Sequence, residues 1–357
     1  MKNILVFSHE YPPCLGGAGS VAQLLYQSLL KDDKNNITIL TSNRSKSLKS
    51  KNIITSIFPS QLWIIAYLPW LLLNIRKYDL IICNDPAAIY NAGLFFSKKI
   101  LKKTVCFIHG EEKYLKSNDK FIKIIKFKKF FYRALFLSKK TFFVSNYIKK
   151  FYIDNYSISI PDEKSVVLHS GISDSFISLS ENQSDSICYS DFLTVSRVEK
   201  LKGFDFMLMI FCELFDRGND FTWVIAGDGS YLNEFKEKVS LSPIIDNVVF
   251  LGKVSHDEIA KTYLSSKFYI SLSELNESYG LSFLEAAYCG CIPIGYDRCG
   301  TKEAFSYISN GYLIKSFKNK EDAVNLLNDL IQSEEYNRGS CSRTELDFIE
   351  EFQKNVF

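Results

Sequence analysis

The sequence predicts an α/β chain built from two doubly wound, Rossmann-like domains, and two observations carry that prediction. Short apolar runs alternate with helical patterns along most of the 357 residues, as parallel sheets wrapped by helices require. The charge also reverses sign midway. Residues 1–170 hold 26 Lys and Arg against 11 Asp and Glu, whereas 171–357 hold 17 against 29. Halves of opposite sign imply two domains with different partners. With 46% hydrophobic and 23% charged residues, the chain has the composition of a folded protein, not a disordered one.

The elements follow in order. The run NILVFS at 3–8 reads as a first strand, followed by the loop YPPCLGGAGS. A helix comes next, with Val21, Leu24, Leu25, Ser28 and Leu29 on one face. Further strands are expected at 37–41, 79–83, 104–109, 141–145 and 165–169. Residues 173–190, rich in Ser, Asp and Asn, read as a linker between a first domain over 1–172 and a second over 191–357. The rhythm then restarts, with strands at 192–195, 222–227, 248–251, 268–271 and 292–296. A last helix at about 341–357 is expected to pack back on the first domain. Ligands of such sheets bind at the carboxyl ends of the strands, so the cleft between two facing domains is the expected site.

Several classes are excluded on composition. The nine cysteines are odd in number and mostly sit in apolar runs, which is no disulfide framework. Cys289-x-Cys291 lacks the second pair that a zinc site needs. The opening MKNILVFSHEYPP has one basic residue and no small-residue cleavage site, and reads as a strand instead of a signal peptide. The apolar run at 62–74 is too short to span a bilayer and contains Pro69. It reads as an aromatic anchor between Trp63 and Trp70 or as a core helix kinked at the proline.

Four segments carry chemistry-bearing residues at strand ends. Gly16 and Gly17 lie in a glycine loop between strand and helix, where backbone N–H groups can approach phosphate; an ordinary tight turn reads equally well. Arg197 and Lys202, in VSRVEKLKG, can clamp a diphosphate, or simply open a solvated helix. His109 ends an apolar strand in FIHGEE, where a structural role competes with a catalytic one. In ESYGLSFLEA, Glu277 precedes a helix and Glu285 lies inside it, with the N–H groups around Gly280 and Leu281 between them. Carboxylates accept from sugar hydroxyls, yet capping and a solvated face suit isolated glutamates as well. No Asp-x-Asp or His cluster accompanies them, so no metal or other cofactor is expected.

Taken together, YPPCLGGAGS, FIHGEE, FFVSNYIKK, HSGIS, VSRVEKLKG, VIAGDGS, FLGKVSHDEI, ESYGLSFLEAAYCGCIPIG and CGTKEA occur in the order seen in family 4 retaining glycosyltransferases. The chain resembles that family nearly end to end. The spacing E-x7-E from Glu277 to Glu285, combined with R-x4-K from Arg197 to Lys202, is the most specific element. The resemblance implies the GT-B fold and a nucleotide-sugar donor, with a UDP-sugar expected. Arg197 and Lys202 would then bind the diphosphate, Glu277 the transferred sugar and Glu285 the ribose. Gly16 and Gly17 would approach the phosphates, His109 would lie near the reacting centre, and backbone around Lys253 and Val254 would read the base. Glu303 matches a recurring acid without an assigned role. HSGIS and CGTKEA depart from the commoner family forms.

The basic half has its own signal. Residues 120–150 hold ten Lys or Arg and no acid, interleaved with Phe, Tyr and Ile. Lys120, Lys123, Lys126, Lys128, Lys129 and Arg133 are expected on one helix surface facing anionic headgroups. Nucleic acid is not expected, since no matching fold motif is present. The expected protein is cytoplasmic, held at the inner face of the membrane, and transfers sugar to a lipid-linked or lipopolysaccharide-type glycan. A nucleotide-sugar epimerase and a non-catalytic nucleotide-sugar-binding scaffold are the competing readings.

Overall fold

Both sheets are parallel, and each reverses its strand order once. The computed structural model describes residues 1–13, 17–45, 51–56, 58–181, 190–315, 319–333 and 337–357. In the first unit, Met1–Ser170 with Glu345–Phe357, seven strands run β1 (Lys2–Phe7), β2 (Asn35–Thr41), β3 (Ile53–Thr55), β4 (Leu80–Cys83), β5 (Thr104–Ile108), β6 (Lys140–Phe143) and β7 (Ser165–Val167). Their spatial order is 3-2-1-4-5-6-7. In the second unit, Gly171–Thr344, β8 (Ser190–Val195), β9 (Trp223–Ala226), β10 (Val248–Gly252), β11 (Ser266–Ile270) and β12 (Ile292–Tyr296) are followed by β13 (Ile308–Ser309), β14 (Tyr312–Ile314) and β15 (Ser340–Cys341). The main sheet has the order 10-9-8-11-12-14, and β13 pairs separately with β15. The reversals fall between β1 and β4, and between β8 and β11. At such a point neighbouring loops leave in opposite directions and open a crevice at the carboxyl edge.

Continuous apolar runs form these strands because both sheet faces are covered. In the second unit Trp223 is fully buried, 4.5 Å from Phe211 ring to ring, and its Nε1 donates to Thr194 Oγ1 at 3.0 Å. In the first, Phe107 stacks on Phe142 at 4.9 Å, and Phe352 reaches both rings from the helix Glu345–Val356. That helix belongs to the first unit's core: Phe348, Phe352 and Val356 are buried. Its Glu345 accepts from Ser28 Oγ on the helix Gly17–Leu30 and pairs at 3.4 Å with Lys31, just past that helix's end.

Three expectations need correction. Part of the stretch expected as a linker, Asp174–Glu181, is a helix of the second unit. Ser173 Oγ caps it by accepting from Phe176 N at 3.3 Å, and buried Phe176 meets Tyr263 edge-on at 6.2 Å. One aromatic anchor outweighs a polar composition. The basic segment is two helices, Lys120–Ile124 and Phe127–Leu137, because Lys126 between them adopts a left-handed φ of 53°. Arg133 is not a surface cation at all. Its guanidinium donates to the carbonyls of Gly93 at 2.5 Å and Phe96 at 2.9 Å, the C-terminal carbonyls where a helix dipole favours a cation. The run at 62–74 is neither a kinked core helix nor an aromatic anchor at Trp63. Pro69 sits in the first turn of the helix Leu68–Asn74, where proline is tolerated. Trp63 packs inward against Tyr90 at 5.2 Å and Phe127 at 6.3 Å.

Where the helices Pro86–Phe95 and Phe127–Leu137 cross, Gly93 lies directly against the backbone: a Cβ there would stand 1.8 Å from the Phe130 carbonyl oxygen. Alanine favours an isolated helix by about 1 kcal/mol over glycine. Here the overlap outweighs that preference, and Gly93→Ala should lower stability by about 1–3 kcal/mol in urea titration. An unchanged or higher unfolding midpoint would disprove the close crossing.

Candidate functional site

The crevice between β8 and β11 gathers four of the residues singled out above. After β8 the chain makes a tight loop through Arg197 and a 3-10 turn at Lys200–Lys202 before the helix Phe204–Asp216. Gly203, at φ 79°, closes that loop so tightly that a Cβ would lie 1.8 Å from the Leu272 carbonyl oxygen. Only glycine fits a left-handed position pressed on backbone. Because the two loops touch there, Lys202 Nζ reaches Glu277 Oε1 at 2.7 Å, with the side chains 16% and 30% exposed. Arg197 stands farther out, 73% exposed, and pairs with Glu199 at 2.7 Å.

Glu277 is not a helix cap. Gly280, left-handed at φ 102°, occupies the N-cap position of the helix Leu281–Tyr288 without a side-chain hydrogen bond. No side chain caps the first turn, and of its N–H groups Phe283 N already donates to the Gly280 carbonyl at 3.1 Å. The loop carrying Glu277 is held from behind by three consecutive residues. Arg298 Nη2 donates to the Ser273 carbonyl at 2.7 Å, Cys299 Sγ lies 3.5 Å from Asn276 Oδ1, and Gly300 N donates to the Glu277 carbonyl at 2.9 Å. Underneath, Tyr269 OH donates to Ser282 Oγ at 2.9 Å, tying β11 to the helix start.

Glu285, one turn further, differs in kind from Glu277. Its backbone carbonyl accepts from Cys289 N at 3.1 Å, but no hydrogen bond or ion pair reaches its carboxyl among the described residues, and burial pushes that carboxyl up to about 7. Desolvation disfavours the charged form of a carboxyl that has no partner to offset it. Lys253 and Val254 follow β10 in the loop beyond Gly252, Lys253 exposed and Val254 half-buried.

In the first unit, Asp85 organises the crevice between β1 and β4. It is 2% exposed and caps the helix Pro86–Phe95 by accepting from Ala88 N at 2.9 Å. Its other oxygen accepts from Ser8 Oγ at 3.1 Å, from His9 N and from Glu10 N at 3.1 Å. Asn84 donates to Ser8 Oγ at 3.1 Å and to the Ala18 carbonyl at 2.7 Å, which leaves its Oδ1 to accept from His109 Nε2 at 3.1 Å. His109 therefore carries its proton on Nε2. Burial pushes it down to about 4, so the ring is neutral at physiological pH and presents Nδ1 as an acceptor. Beside it, a cavity of about 250 Å³ is lined by Gly17, Ala18, Pro86, Phe107, His109 and Tyr152. Gly17 opens the helix Gly17–Leu30; Gly16 lies outside the described residues. Glu112, also buried, is pushed up to about 7 by desolvation.

Sequence reading passed over Asp85, Asn84 and Arg298. The first was within reach, because Asn84-Asp85-Pro86 is a cap followed by proline at the first helical position. Arg298 acts through carbonyls of a loop distant in sequence, and no local pattern announces that. Among the described residues no three His, Cys, Asp or Glu side chains converge as metal ligands would, and no helix is long and apolar enough to cross a membrane.

Comparison with known proteins agrees with this geometry. The family model described as "Glycosyltransferase Family 4" matches residues 15–176, and "Glycosyl transferases group 1" matches 189–343. The alpha-monoglucosyldiacylglycerol synthase of Streptococcus pneumoniae is 35% identical over 98 residues, 28% of this chain and 22% of that enzyme. The 2-deoxystreptamine N-acetyl-D-glucosaminyltransferase of Niallia circulans is 22% identical over 284 residues, 71% of this chain and 67% of its own. The chain thus spans about a fifth of the first relative's length and two thirds of the second's. Among solved structures, Anabaena HepE in complex with UDP and glucose superposes with a TM-score of 0.71 at 16% identity, covering 100% of this chain and 99% of the other. The lipopolysaccharide outer core galactosyltransferase WaaB does so at 0.66 and 16%, covering 100% and 99%. With two parallel α/β units, the paired residues at the second reversal point and both family models matched along its length, the chain belongs to the group 1, family 4 glycosyltransferases of the GT-B type.

Proposed function

We propose that the protein is a retaining, metal-independent glycosyltransferase that moves a hexosyl or N-acetylhexosaminyl group from a UDP-sugar to a membrane-associated glycan, in polysaccharide, O-antigen or lipopolysaccharide assembly. The observation that carries the donor reading is the contact of Lys202 with Glu277 just before the helix that carries Glu285. Arg197, Lys202 and the N–H groups near Gly280 and Leu281 receive the diphosphate, and Glu285 accepts from the ribose hydroxyls. Glu277 contacts the sugar, and backbone at Lys253 and Val254 meets the base. The ligands of HepE, UDP and glucose, and the lipopolysaccharide role of WaaB support the choice of donor and pathway class.

In this reading the acceptor oxygen forms its bond to the anomeric carbon on the face the diphosphate leaves. The carbon–oxygen bond to the β-phosphate breaks, and the acceptor's proton passes to the departing phosphate oxygen. Charge gathers on the diphosphate as the sugar becomes oxocarbenium-like, and preorganised cations with helix N–H groups stabilise that charge most. Glu277 and Glu285 are hydroxyl binders, not the acid and nucleophile of a glycosidase. Neutral His109, beside the first unit's own cavity, accepts a hydrogen bond from a substrate hydroxyl.

The membrane reading rests on exposed apolar side chains set among cations. Leu72 and Leu73 are 67% and 86% exposed beside Arg76 and Lys77. Phe121 and Ile124 are 54% and 76% exposed among Lys120, Lys123, Lys126, Lys128 and Lys129. Apolar tips within a basic surface suit an anionic lipid interface.

Three measurements test these assignments. Calorimetry with UDP should show Lys202→Ala weakening binding by about 10- to 100-fold, the range of a charge-assisted contact; an unchanged affinity would remove Lys202 from the diphosphate site. Ribose hydroxyls donate to the ionised Glu285, so the complex holds that carboxyl below its free value of about 7. Affinity should then be steady above pH 7 and fall as pH drops through it. Glu285→Gln should lose that slope, while the phosphate's own titration near about 6 persists in both proteins. Parallel pH profiles would refute the ribose role. Finally, flotation with phosphatidylglycerol vesicles should capture the wild type, and phosphatidylcholine vesicles should not. Leu73→Glu with Ile124→Glu should abolish capture, and each Lys removed from 120–129 should cost about 1 kcal/mol.

A further inference from the structure

We propose that the Lys202–Glu277 ion pair is a latch that makes the site prefer the sugar-bearing donor over the spent nucleoside diphosphate. The inference rests on the reading of Lys202 as a diphosphate contact and goes beyond it. In the structure, the cation that would hold the diphosphate already has a partner, and that partner is the acid that would hold the sugar. They meet at 2.7 Å and are mostly shielded from solvent, so the pair is stronger than a surface ion pair and either member is costly to leave alone.

A diphosphate arriving at Lys202 brings negative charge next to the Glu277 carboxylate. Lysine has three donors, but like charges across one ammonium repel, so Glu277 must release its proton donor or tolerate an adjacent anion. The carboxylate cannot retreat with its loop. Gly300 N holds the Glu277 carbonyl at 2.9 Å, Arg298 holds the Ser273 carbonyl at 2.7 Å, and a Cβ on Gly300 would lie 2.0 Å from the Ser278 oxygen. The side chain alone must find a new partner. With the intact donor, sugar hydroxyls supply it. With the nucleoside diphosphate left after transfer, nothing does. The same residue therefore rewards the donor and penalises the product, which favours product departure.

Arg197 offers no comparable latch. Its pair with Glu199 is 73% and 36% exposed, and water replaces either partner at little cost. The coupling is thus confined to Lys202 and Glu277.

The test is calorimetric titration of the whole chain with UDP and with the UDP-sugar that the enzyme turns over. Glu277→Gln should bind UDP about tenfold more tightly than the wild type and become more sensitive to inhibition by UDP. Its affinity for the UDP-sugar should stay level or fall, so the two affinities move apart. In the Lys202→Met background, Glu277→Gln should no longer tighten UDP binding, since a cycle isolates the pair. Glu277→Ala, with its fold checked by circular dichroism, should repeat the UDP result should the glutamine variant fail to fold. If the wild type binds UDP but neither Glu277 variant binds it more tightly, the latch is overturned and the donor reading stands. If the wild type binds no nucleoside diphosphate, both are overturned together.

Discussion

Lys202 meets Glu277 because Gly203 lets one loop lie on the carbonyl of Leu272 in the next. That backbone approach is the constraint on which the second unit's site depends. Strand-order reversal between β8 and β11 opens a crevice, yet a crevice alone would leave the two loops apart. A Cβ at position 203 would overlap the Leu272 carbonyl oxygen at 1.8 Å, so the loops would have to part and the 2.7 Å ion pair would lengthen. Behind Glu277, Gly300 repeats the device against Ser278. The site is therefore assembled by main-chain contact, and the charged side chains inherit their positions from it.

The first unit solves the corresponding problem with a buried acid. Asp85 accepts from four groups on two segments, Ser8 to Glu10 and Ala88, so both of its buried oxygens are satisfied. The loop after β1, the helix after β4 and, through neighbouring Asn84, the ring of His109 share one anchor. Removing the partners of such an acid would strand a charge in the interior, so the edge is rigid for electrostatic reasons. The two crevices thus differ. One is built on glycine contacts and lined with unspent charge; the other is built on spent charge and lined with a neutral histidine.

Much of this was legible in the sequence because its signals are local. Strand runs such as IPIGY and FYIS announce themselves by composition, and E-x7-E marks a loop and helix whose geometry follows from a glycine between the acids. What escaped was non-local or too short. β3 and β14 are three residues each, below the length at which a period can be read. The helix Asp174–Glu181 hides its single aromatic anchor among serines. Arg133 lies in step with surface lysines, yet Gly93 and Phe96, some 40 positions earlier, turn it into a helix cap. The pairing of Lys202 with Glu277 spans 75 positions: the sequence marked both residues without revealing that they touch.

The charge asymmetry acquires meaning from where the charges go. In the second unit cations and acids neutralise one another in chains, as Arg217 with Glu213 and Glu321, and Lys238 with Asp205 and Glu234. In the first, several cations turn to carbonyls instead: Lys103 to Tyr78, Lys140 to Glu163, Lys164 to Phe136, Arg133 to Gly93. A carbonyl steadies a cation without cancelling it, so the surplus of positive charge on residues 1–170 remains a field outside the protein. Exposed lysines at 120–129 add to that field beside Phe121 and Ile124, whose exposure costs the isolated protein hydrophobic free energy. An anionic bilayer recovers both terms at once, whereas a free anion recovers only the first. That is why the proposed lipid interface, and not a free anion, fits the cations and the apolar tips together.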